Sequence, residues 1–287
     1  MLPKRLNILL GPTGVGKTAM GIEYAKRMGC PILSCDSRQI YREMVIGTSA
    51  PTLEEQQEVT HYFVGSHSIH DHFTAGLYEI EVLALLKELF RTYDEVLMVG
   101  GSGLYIDAVC YGIDNFPPSD LELREHLSKR LKNEGIESLR FELKILDPKS
   151  YDSIDIRNNQ RVLRALEVSI QTGRPFSSFK SNRHKERPFE VIKEGLIRER
   201  SSLYARIDAR VDRMMEMGLV QEAARLLPYR TLPTLKTVGY SELFDYFEGK
   251  YTMDEAVVLI KRNSRRYAKR QYAYWRRDGT ILWKEIR

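Results

Sequence analysis

An apolar segment, Leu6–Leu10, runs directly into the string Gly11-x-x-x-x-Gly16-Lys17-Thr18, and a helical stretch from Ala19 to Met28 follows it. A strand, a glycine-rich loop and a helix in this order form the P-loop pattern. The N–H groups of such a loop lie at a helix N-terminus, which favours bound phosphate. The sequence therefore predicts a site for a di- or triphosphate, with Lys17 as a point charge and Thr18 as a Mg²⁺ ligand. The predicted phosphate-binding residues are Gly11, Pro12, Thr13, Gly14, Val15, Gly16, Lys17 and Thr18.

Short apolar strands alternate with helical patterns along the N-terminal part of the chain. This alternation predicts an α/β fold, a P-loop NTPase-like parallel sheet core flanked by helices. In such sheets ligands bind beyond the carboxyl ends of the strands. Three predicted strands are followed there by candidate site segments, namely the P-loop, Cys35-Asp36-Ser37 and Gly100-Gly101-Ser102-Gly103. The predicted strands are Leu6–Leu10, Ile32–Ser34, His61–Val64 and Val96–Val99, and the helices are Lys17–Met28, Thr52–Val59 and Thr74–Phe90.

A mostly helical segment interrupts this alternation after Phe116-Pro117-Pro118. Ser119-Asp120-Leu121-Glu122 reads as a capping box that opens a helix, and a later helix is predicted from about Asp155 to Gln171. A strand at Val191–Ile197 then restores the α/β pattern. We therefore predict a core formed by 1–115 and 189–287 and a helical insertion domain at 116–188. The later predicted helices of the core are Ser202–Met217, Tyr240–Phe247 and Asp254–Arg277.

The charge of the chain favours an anionic partner. Its net charge is +5, and the stretch Lys261 to Arg277 carries eight basic residues and no acidic one. Further basic runs lie at Lys180–Arg187 and Arg157–Arg164. The three cysteines are too widely spaced for a disulfide framework or a zinc knuckle. No leader sequence and no apolar run of about 20 residues is apparent, so we expect a cytoplasmic, non-membrane protein.

Asp36 and Ser102 are the candidate chemical groups at the predicted strand ends. Asp36 is open to three interpretations: a Walker-B-like Mg²⁺ ligand, a general base facing a nucleophile beside the phosphates, or a turn cap with Ser37. Ser102 lies among glycines that let the backbone approach a ligand closely. Its hydroxyl could donate to phosphate or base, or the segment could be a plain strand-to-helix turn.

Two basic helical segments are candidate nucleic-acid surfaces. Arg157, Arg161 and Arg164 are spaced by four and three residues, which predicts one helical face. On the final helix, tyrosines and Trp275 interleave with the cations, a composition that suits stacking on bases and pairing with phosphates. A solvated charged face and an aromatic core anchor are the alternatives that remain open for these segments.

Taken together, these strings resemble those of the tRNA dimethylallyltransferases, the IPP transferase family, over nearly the whole chain. The motifs that carry the resemblance appear in order and are GPTGVGKT at Gly11–Thr18, DSRQIY at Asp36–Tyr41, GTSAP at Gly47–Pro51, GGSGLYI at Gly100–Ile106, QRVLRALEV at Gln160–Val168, LYARIDARVDRM at Leu203–Met214, VGYSEL at Val238–Leu243 and YAKRQ at Tyr267–Gln271. The resemblance implies transfer of a dimethylallyl group from its diphosphate to the exocyclic amine of the adenosine 3′ of the anticodon. It also implies a bacterial type without a zinc-finger extension, because the chain ends soon after the last motif.

The resemblance also implies roles for individual residues. Asp36 is then the general base, Ser102 contacts diphosphate and tRNA, and Arg210 helps to neutralise the departing diphosphate. The P-loop holds dimethylallyl diphosphate with Mg²⁺. We expect a monomer that grips the anticodon stem-loop. The residues implied in tRNA binding are Asp36, Ser37, Arg38, Gln39, Ser102, Arg124, Gln160, Arg161, Val162, Leu163 and Arg164.

The sequence departs from the family pattern at a few positions. Ala50 replaces a lysine, Cys35 an alanine and Ser102 a threonine, and Ala273-Tyr274 replaces Thr-Trp. Three rival functions stay open: a small-molecule kinase, a relative that prenylates free AMP, and a non-catalytic tRNA-binding module. The kinase would need an adenine lid that the sequence does not show. The basic insertion favours tRNA over AMP, and intact Lys17, Thr18 and Asp36 argue against a non-catalytic module.

Overall fold

The computed structural model describes residues 3–181 and 184–286. Asn182 and Arg183, which belong to the predicted basic run Lys180–Arg187, lie outside the described residues. The chain divides into two compact units, unit 1 with Met1–Gly112 and Lys185–Arg287 and unit 2 with Ile113–His184. These limits fall within a few residues of the predicted core and insertion domain.

Unit 1 is built on a parallel sheet, as the alternating pattern predicted. Over the described ranges the sheet contains six strands in the order β3-β2-β4-β1-β5-β6, every neighbouring pair being parallel. The strands are β1 (Arg5–Leu10), β2 (Ile32–Cys35), β3 (His61–Tyr62), β4 (Glu95–Gly100), β5 (Glu190–Ile197) and β6 (Leu282–Glu285). The α/β fold prediction is confirmed, and β6 is an addition that the sequence interpretation missed.

Helices flank this sheet, and the first of them continues directly from the P-loop. They are α1 (Lys17–Met28), α2 (Leu53–Glu58), α3 (Ala75–Leu89), α4 (Gly103–Tyr111), α9 (Arg200–Glu216), α10 (Leu219–Leu226), α11 (Tyr240–Phe247) and α12 (Met253–Trp275). The sequence interpretation missed α10, which begins directly after the left-handed Gly218. One hydrophobic cluster lies between β-strands and α1, and a second joins α9 to α12 with the segment after β2. No helix in the described part of the chain is long and apolar enough to span a bilayer.

Unit 2 is helical, as predicted, and has its own core. Its helices are α5 (Leu121–Glu134), α6 (Ile136–Leu146), α7 (Pro148–Ser153) and α8 (Asn159–Thr172). Leu127, Leu139, Leu143 and Leu166 are buried together at its centre. The N-cap of α5 is Asp120, whose side chain accepts a hydrogen bond from the Leu123 N–H. The predicted capping box of Ser119 and Glu122 is therefore wrong, because the N3 residue is Leu123, which has no side-chain acceptor.

The predicted helix start at Asp155 is wrong, because α8 begins only at Asn159. Oδ1 of Asn158 accepts hydrogen bonds from the N–H groups of Gln160 and Arg161 at 3.1 and 3.3 Å. Asparagine is a favoured N-cap, and its side chain ends the preceding turn and starts the helix. Arg157 consequently lies in that turn and does not share a helical face with Arg161 and Arg164. Its side chain is 91% exposed.

Candidate active site

Three loops meet at the carboxyl edge of the sheet in unit 1. The strands β2, β4 and β1 are neighbours in that order, so the segments that follow them lie side by side. The Ser37 N–H donates to Oγ of Ser102 at 2.9 Å, and the Ser102 N–H donates to the Cys35 carbonyl at 3.2 Å. The structure therefore brings Asp36, Ser102 and the P-loop together, as the parallel-sheet rule predicted.

The P-loop precedes α1 with Gly14 and Gly16 in left-handed backbone conformations, at φ +79° and +117°. Nζ of Lys17 donates to the carbonyl oxygens of Gly11 and Pro12, both at 2.9 Å. An ammonium group has three N–H donors, so one remains for a ligand. Burial lowers the pKa of Lys17 to about 8, an effect that nearby Asp36 opposes and nearby Arg210 reinforces.

Asp36 uses one carboxylate oxygen to cap its own turn. Oδ1 accepts hydrogen bonds from the N–H groups of Arg38 and Gln39 at 2.9 and 3.3 Å. Between residues 3–181 and 184–286 no hydrogen bond reaches its Oδ2. The turn cap is thus present, and it leaves the second oxygen available to accept a proton. Asp36 also lines the cleft described below.

Arg210 reaches the same region from α9. Its Nε donates to Oγ of Ser49 at 2.7 Å, and its Nη2 donates to the Thr48 carbonyl at 3.0 Å. In the described part of the chain its Nη1 has no hydrogen-bond partner. Burial lowers the pKa of Arg210 and the Asp36 carboxylate opposes this change. Lys17, Asp36 and Arg210 are therefore close enough to act on one bound group.

A buried carboxylate, Glu222 of α10, shapes the loop that Arg210 contacts. Its two oxygens accept hydrogen bonds from the N–H groups of Val45, Ile46 and Gly47 at 2.8–3.0 Å, and from the Tyr240 hydroxyl at 2.6 Å. Two residues further on, Ser49 has a left-handed φ of +45°, a conformation that costs free energy for a residue other than glycine. Sequence reasoning missed Glu222, since nothing in its local string signals this distant role.

The Gln39 amide is occupied by the same loop. Its Nε2 donates to the carbonyls of Thr48 and Ser49 at 3.2 and 3.1 Å. The structure therefore links Gln39 and Arg210 through two shared loop residues. Contact of Gln39 with a flipped base stays a prediction, and its carboxamide would have to give up these bonds to make it.

The last long helix fixes the P-loop through Gln271, a second residue to which sequence reasoning gave no role. Oε1 of Gln271 accepts from the Thr13 N–H at 2.8 Å, and Nε2 donates to the Gly101 carbonyl at 3.0 Å. Gln271 is buried. Tyr274, a departure from the family pattern, packs against Gly103 and hydrogen bonds to Asp107. The aromatic residues of α12 thus include core anchors, one of the two interpretations left open.

Lys17, Asp36, Gln39, Arg210 and Gln271 line one cleft of about 1070 Å³ that lies entirely in unit 1. Its walls combine the polar groups above with apolar side chains from the loop after β2 and from α9, notably Val45, Ile46, Val211 and Met214. Over residues 3–181 and 184–286 no group of three or more His, Cys, Asp or Glu side chains could hold a metal ion. The hydroxyl of Thr18 and the carboxylate of Asp36 are oxygen donors on the cleft wall.

The predicted tRNA-binding residues of the insertion fall into three groups in unit 2. Arg124 and Arg164 form ion pairs at 2.7 Å with Glu167, whose side chain is fully buried. Gln160 and Arg161 are exposed. The side chains of Val162 and Leu163 are buried in the hydrophobic core, so their side chains serve core packing, and contact of these two positions with tRNA stays a prediction.

Comparison with known proteins agrees with the geometry of this site. The IPP transferase family matches residues 39–278. The chain is 54% identical over 278 residues to tRNA dimethylallyltransferase 1 of Porphyromonas gingivalis, covering 97% of this chain and 93% of that relative.

Solved structures give the same result for the fold. The crystal structure of a full-length tRNA isopentenylpyrophosphate transferase from Bacillus halodurans superposes with a TM-score of 0.71 at 35% identity, covering 98% of this chain and 90% of that one. A eukaryotic dimethylallyltransferase acting on tRNA shares the fold, with a TM-score of 0.79 at 22% identity over 98% of this chain and 74% of its own. The motifs, the cleft and these matches agree, and the chain belongs to the IPP transferase family of tRNA dimethylallyltransferases.

Proposed function

We propose that this protein transfers a dimethylallyl group from dimethylallyl diphosphate to the exocyclic amine of the adenosine 3′-adjacent to the anticodon in tRNA, with release of diphosphate. The observation that carries the proposal is one carboxylate, Asp36, beside two cations, Lys17 and Arg210, in a single cleft at a P-loop. The name of the relative at 54% identity supports the choice of both substrates.

The chemistry needs a proton acceptor and a stabilised leaving group. The amine nitrogen forms a bond to C1 of the allyl group while the bond from C1 to the diphosphate oxygen breaks, and its electron pair leaves with the diphosphate. Asp36 accepts the proton that the amine loses, through the oxygen that caps no turn. Lys17, Nη1 of Arg210 and the P-loop N–H groups stabilise the negative charge that develops on the diphosphate.

Mg²⁺ fits this donor set when the substrate is bound. The ion prefers oxygen ligands and is commonly held by one or two protein groups together with substrate phosphates, and the described cleft offers such groups but no complete protein cage. We propose that Thr18 holds the ion together with the diphosphate. Bound there, Mg²⁺ would supply further neutralisation of the leaving group.

The acceptor adenine has to leave its stack to reach this cleft. We propose that Ser37, Arg38, Gln39 and Ser102 contact the extruded nucleotide, because they surround Asp36 on the loops after β2 and β4. In unit 2 the predicted contacts with the anticodon arm include the exposed Gln160 and Arg161, and Arg124 and Arg164, which pair with Glu167. A cytoplasmic location and a monomeric state stay predictions.

The test of this function compares Asp36→Asn with Asp71→Asn. Both aspartates accept a backbone N–H in a turn, but Asp71 is exposed and lies outside the cleft. With dimethylallyl diphosphate, Mg²⁺ and unmodified tRNA, we expect single-turnover transfer to fall ~10²–10⁴-fold in Asp36→Asn only, the usual cost of losing a general base. Mass spectrometry of the nucleosides measures the product. Transfer within threefold of the parent protein would show that Asp36 is not the base.

The same assay separates the rival functions. Free AMP as the acceptor identifies an AMP-prenylating enzyme if it turns over better than tRNA. Calorimetry with ATP and dimethylallyl diphosphate identifies the P-loop ligand. Tight binding of ATP without binding of the prenyl diphosphate would favour a kinase and overturn the proposal.

A further inference from the structure

A cation is buried in the sheet of unit 1 at Lys193 of β5, outside the walls of the cleft. Its side chain is 3% exposed, and a buried charge is costly unless it is paired. Nζ of Lys193 donates to Oδ2 of Asp278 at 2.6 Å and to the Tyr111 hydroxyl at 2.5 Å, and it lies 4.4 Å from the centroid of the Tyr111 ring. These three residues, which we call the Lys193 cluster, join β5 to the end of α4 and to the turn that follows α12.

Asp278 uses both carboxylate oxygens, and this holds the turn between α12 and β6. Oδ2 binds Lys193, whereas Oδ1 accepts hydrogen bonds from the N–H and hydroxyl groups of Thr280 at 2.9 and 2.6 Å. The Asp278 N–H donates to the Trp275 carbonyl at the end of α12, at 3.0 Å. The turn is thus attached to the preceding helix, to its own following residues and, through Lys193, to the neighbouring strand β5.

The chain on each side of this turn contacts the P-loop. Before the turn, Oε1 of Gln271 accepts a hydrogen bond from the Thr13 N–H at 2.8 Å. After the turn, Ile286 reaches the other end of the loop, because a Cβ atom placed on Gly16 would lie 3.5 Å from its Cδ1. Ile286 also packs against the hydrophobic cluster that contains Val15. The P-loop is therefore supported by two arms of one segment, and the Lys193 cluster lies where those arms meet.

Stability alone does not account for a charge at this place. The attraction within a buried ion pair is largely offset by the cost of removing both ions from water, so an apolar pair of similar volume often stabilises a fold equally well. Hydrogen bonds differ from apolar contacts in being directional. Lys193 therefore sets the position of the turn at Asp278 relative to β5, and β5 runs beside β1, the strand that leads into the P-loop.

We propose that the Lys193 cluster positions the P-loop for the diphosphate of the donor, acting through Gln271 on one arm and Ile286 on the other. Lys193 is then a positioning residue, since its Nζ binds protein groups and not substrate. The inference rests on the proposed function, which makes the donor diphosphate the ligand of this loop. The N–H groups of a P-loop bind phosphate when they converge on it, so a displaced loop binds the donor more weakly and stabilises the leaving diphosphate less.

The test compares Lys193→Met with Arg187→Met in the full chain. Arg187 is a matched control, because it is also a buried cation of unit 1, 9% exposed, and it pairs with Glu79 at 2.8 Å and donates to carbonyls at the end of α4. With Mg²⁺ and saturating tRNA, we expect kcat/KM for dimethylallyl diphosphate to fall about 10- to 10²-fold in Lys193→Met, the size of loss that a displacement of ~1 Å can cause. We expect Arg187→Met to stay within about threefold of the parent, and the KM for tRNA to be unchanged in Lys193→Met.

Hydrogen exchange gives a second readout that needs no turnover. In the protein without substrates, we expect the amides of residues 11–18 to exchange at least about threefold faster in Lys193→Met than in the parent and in Arg187→Met. Asp278→Asn is the second variant, because it retains an acceptor for Thr280 and removes the charge that faces Lys193. We expect the same changes from it at a smaller size, and it decides the question if Lys193→Met does not fold.

Two results would overturn this inference. One is an equal kcat/KM for the donor and equal exchange of residues 11–18 in the cluster variants and in Arg187→Met. The other is faster exchange throughout unit 1 in which the P-loop is affected no more than β4, since the cluster would then only stabilise the fold. If the parent transfers no dimethylallyl group, the proposed function fails, whereas the exchange of residues 11–18 still decides whether the Lys193 cluster holds the loop.

Discussion

Arg124 and Arg164 of unit 2 and Arg266 and Arg270 on α12 of unit 1 carry the same charge, but within the described residues only the pair on α12 has no carboxylate at ion-pair distance. In unit 2 the two arginines enclose Glu167, and Arg164 also donates to the Pro117 carbonyl at 2.6 Å. Arg266 and Arg270 have no such carboxylate partner within the described residues. A basic run in a sequence therefore does not show by itself which of its cations are already paired within the protein.

The largest effect is expected for Glu167→Ala. Removing this carboxylate leaves two guanidinium groups facing each other without their common partner, and breaking a buried ion pair costs about 3–5 kcal/mol. Native-state hydrogen exchange of α8 amides measures the loss of stability in unit 2. Glu125→Ala is the control, because its carboxylate pairs with Lys129 on an exposed surface. Similar losses of stability in both variants would show that the ion pairs of Glu167 with its two arginines do not stabilise unit 2 more than an exposed ion pair does.

We expect Arg164→Ala to change the stability of unit 2 and Arg161→Ala to change tRNA binding. The first removes bonds to Glu167 and Pro117 and should cost about 1–3 kcal/mol, the range for a lost hydrogen bond to a charged group. The second removes an exposed side chain, so we expect unchanged stability and weaker tRNA binding. Urea unfolding and tRNA titration of both variants measure the contrast. If Arg161→Ala destabilises unit 2 and Arg164→Ala does not, the assignment of a structural role to Arg164 and an exposed, binding role to Arg161 is wrong.

Glu222→Gln tests a second buried carboxylate for comparison with Glu167. Glu222 binds backbone N–H groups and not arginines. A carboxamide retains one acceptor oxygen and turns an N–H donor towards Gly47 or Tyr240, which should cost about 1–2 kcal/mol. We also expect kcat to fall more than KM rises, because Arg210 and Gln39 are held by the adjoining Thr48 and Ser49.

Glu43→Gln is the matched control for Glu222→Gln, since Glu43 accepts hydrogen bonds from the Ser68 hydroxyl and the Ile69 N–H of a different loop. It should lower stability and leave kcat unchanged. Equal kcat values in the two variants would mean that the position of the loop after β2 does not limit catalysis.

The central residues of the site could be predicted from the sequence because a single rule of parallel sheets determines where they lie. Residues that follow neighbouring parallel strands meet at one edge, and this brings Asp36 and Ser102 to the P-loop without further information. The P-loop string itself contains the glycines whose positive φ angles the structure shows. The α/β order and the helical insertion followed from periodicity alone.

The remaining parts depend on tertiary contacts that no local pattern contains. Glu222 acts on a loop 175 residues away in sequence, and Arg124 meets Glu167 across 43 residues. Two features that the sequence interpretation did not use had local signals. Asn158 is a favoured N-cap, which places Arg157 before the helix, and Glu167 lies three residues after Arg164, a spacing at which side chains on a helix meet.

The contact of Gln271 with Gly101 limits which amino acids the two positions can accept. A Cβ atom on Gly101 would lie 2.5 Å from Nε2 of Gln271 and 2.9 Å from the Gly11 carbonyl oxygen, and the amide at 271 both donates to one loop and accepts from the other. Glutamate lacks the donor and lysine lacks the acceptor. Neither position can therefore change by itself without loosening two loops at once. A side chain at Gly101 would also meet the Gly11 backbone, so a compensating change at 271 alone would not make room for it.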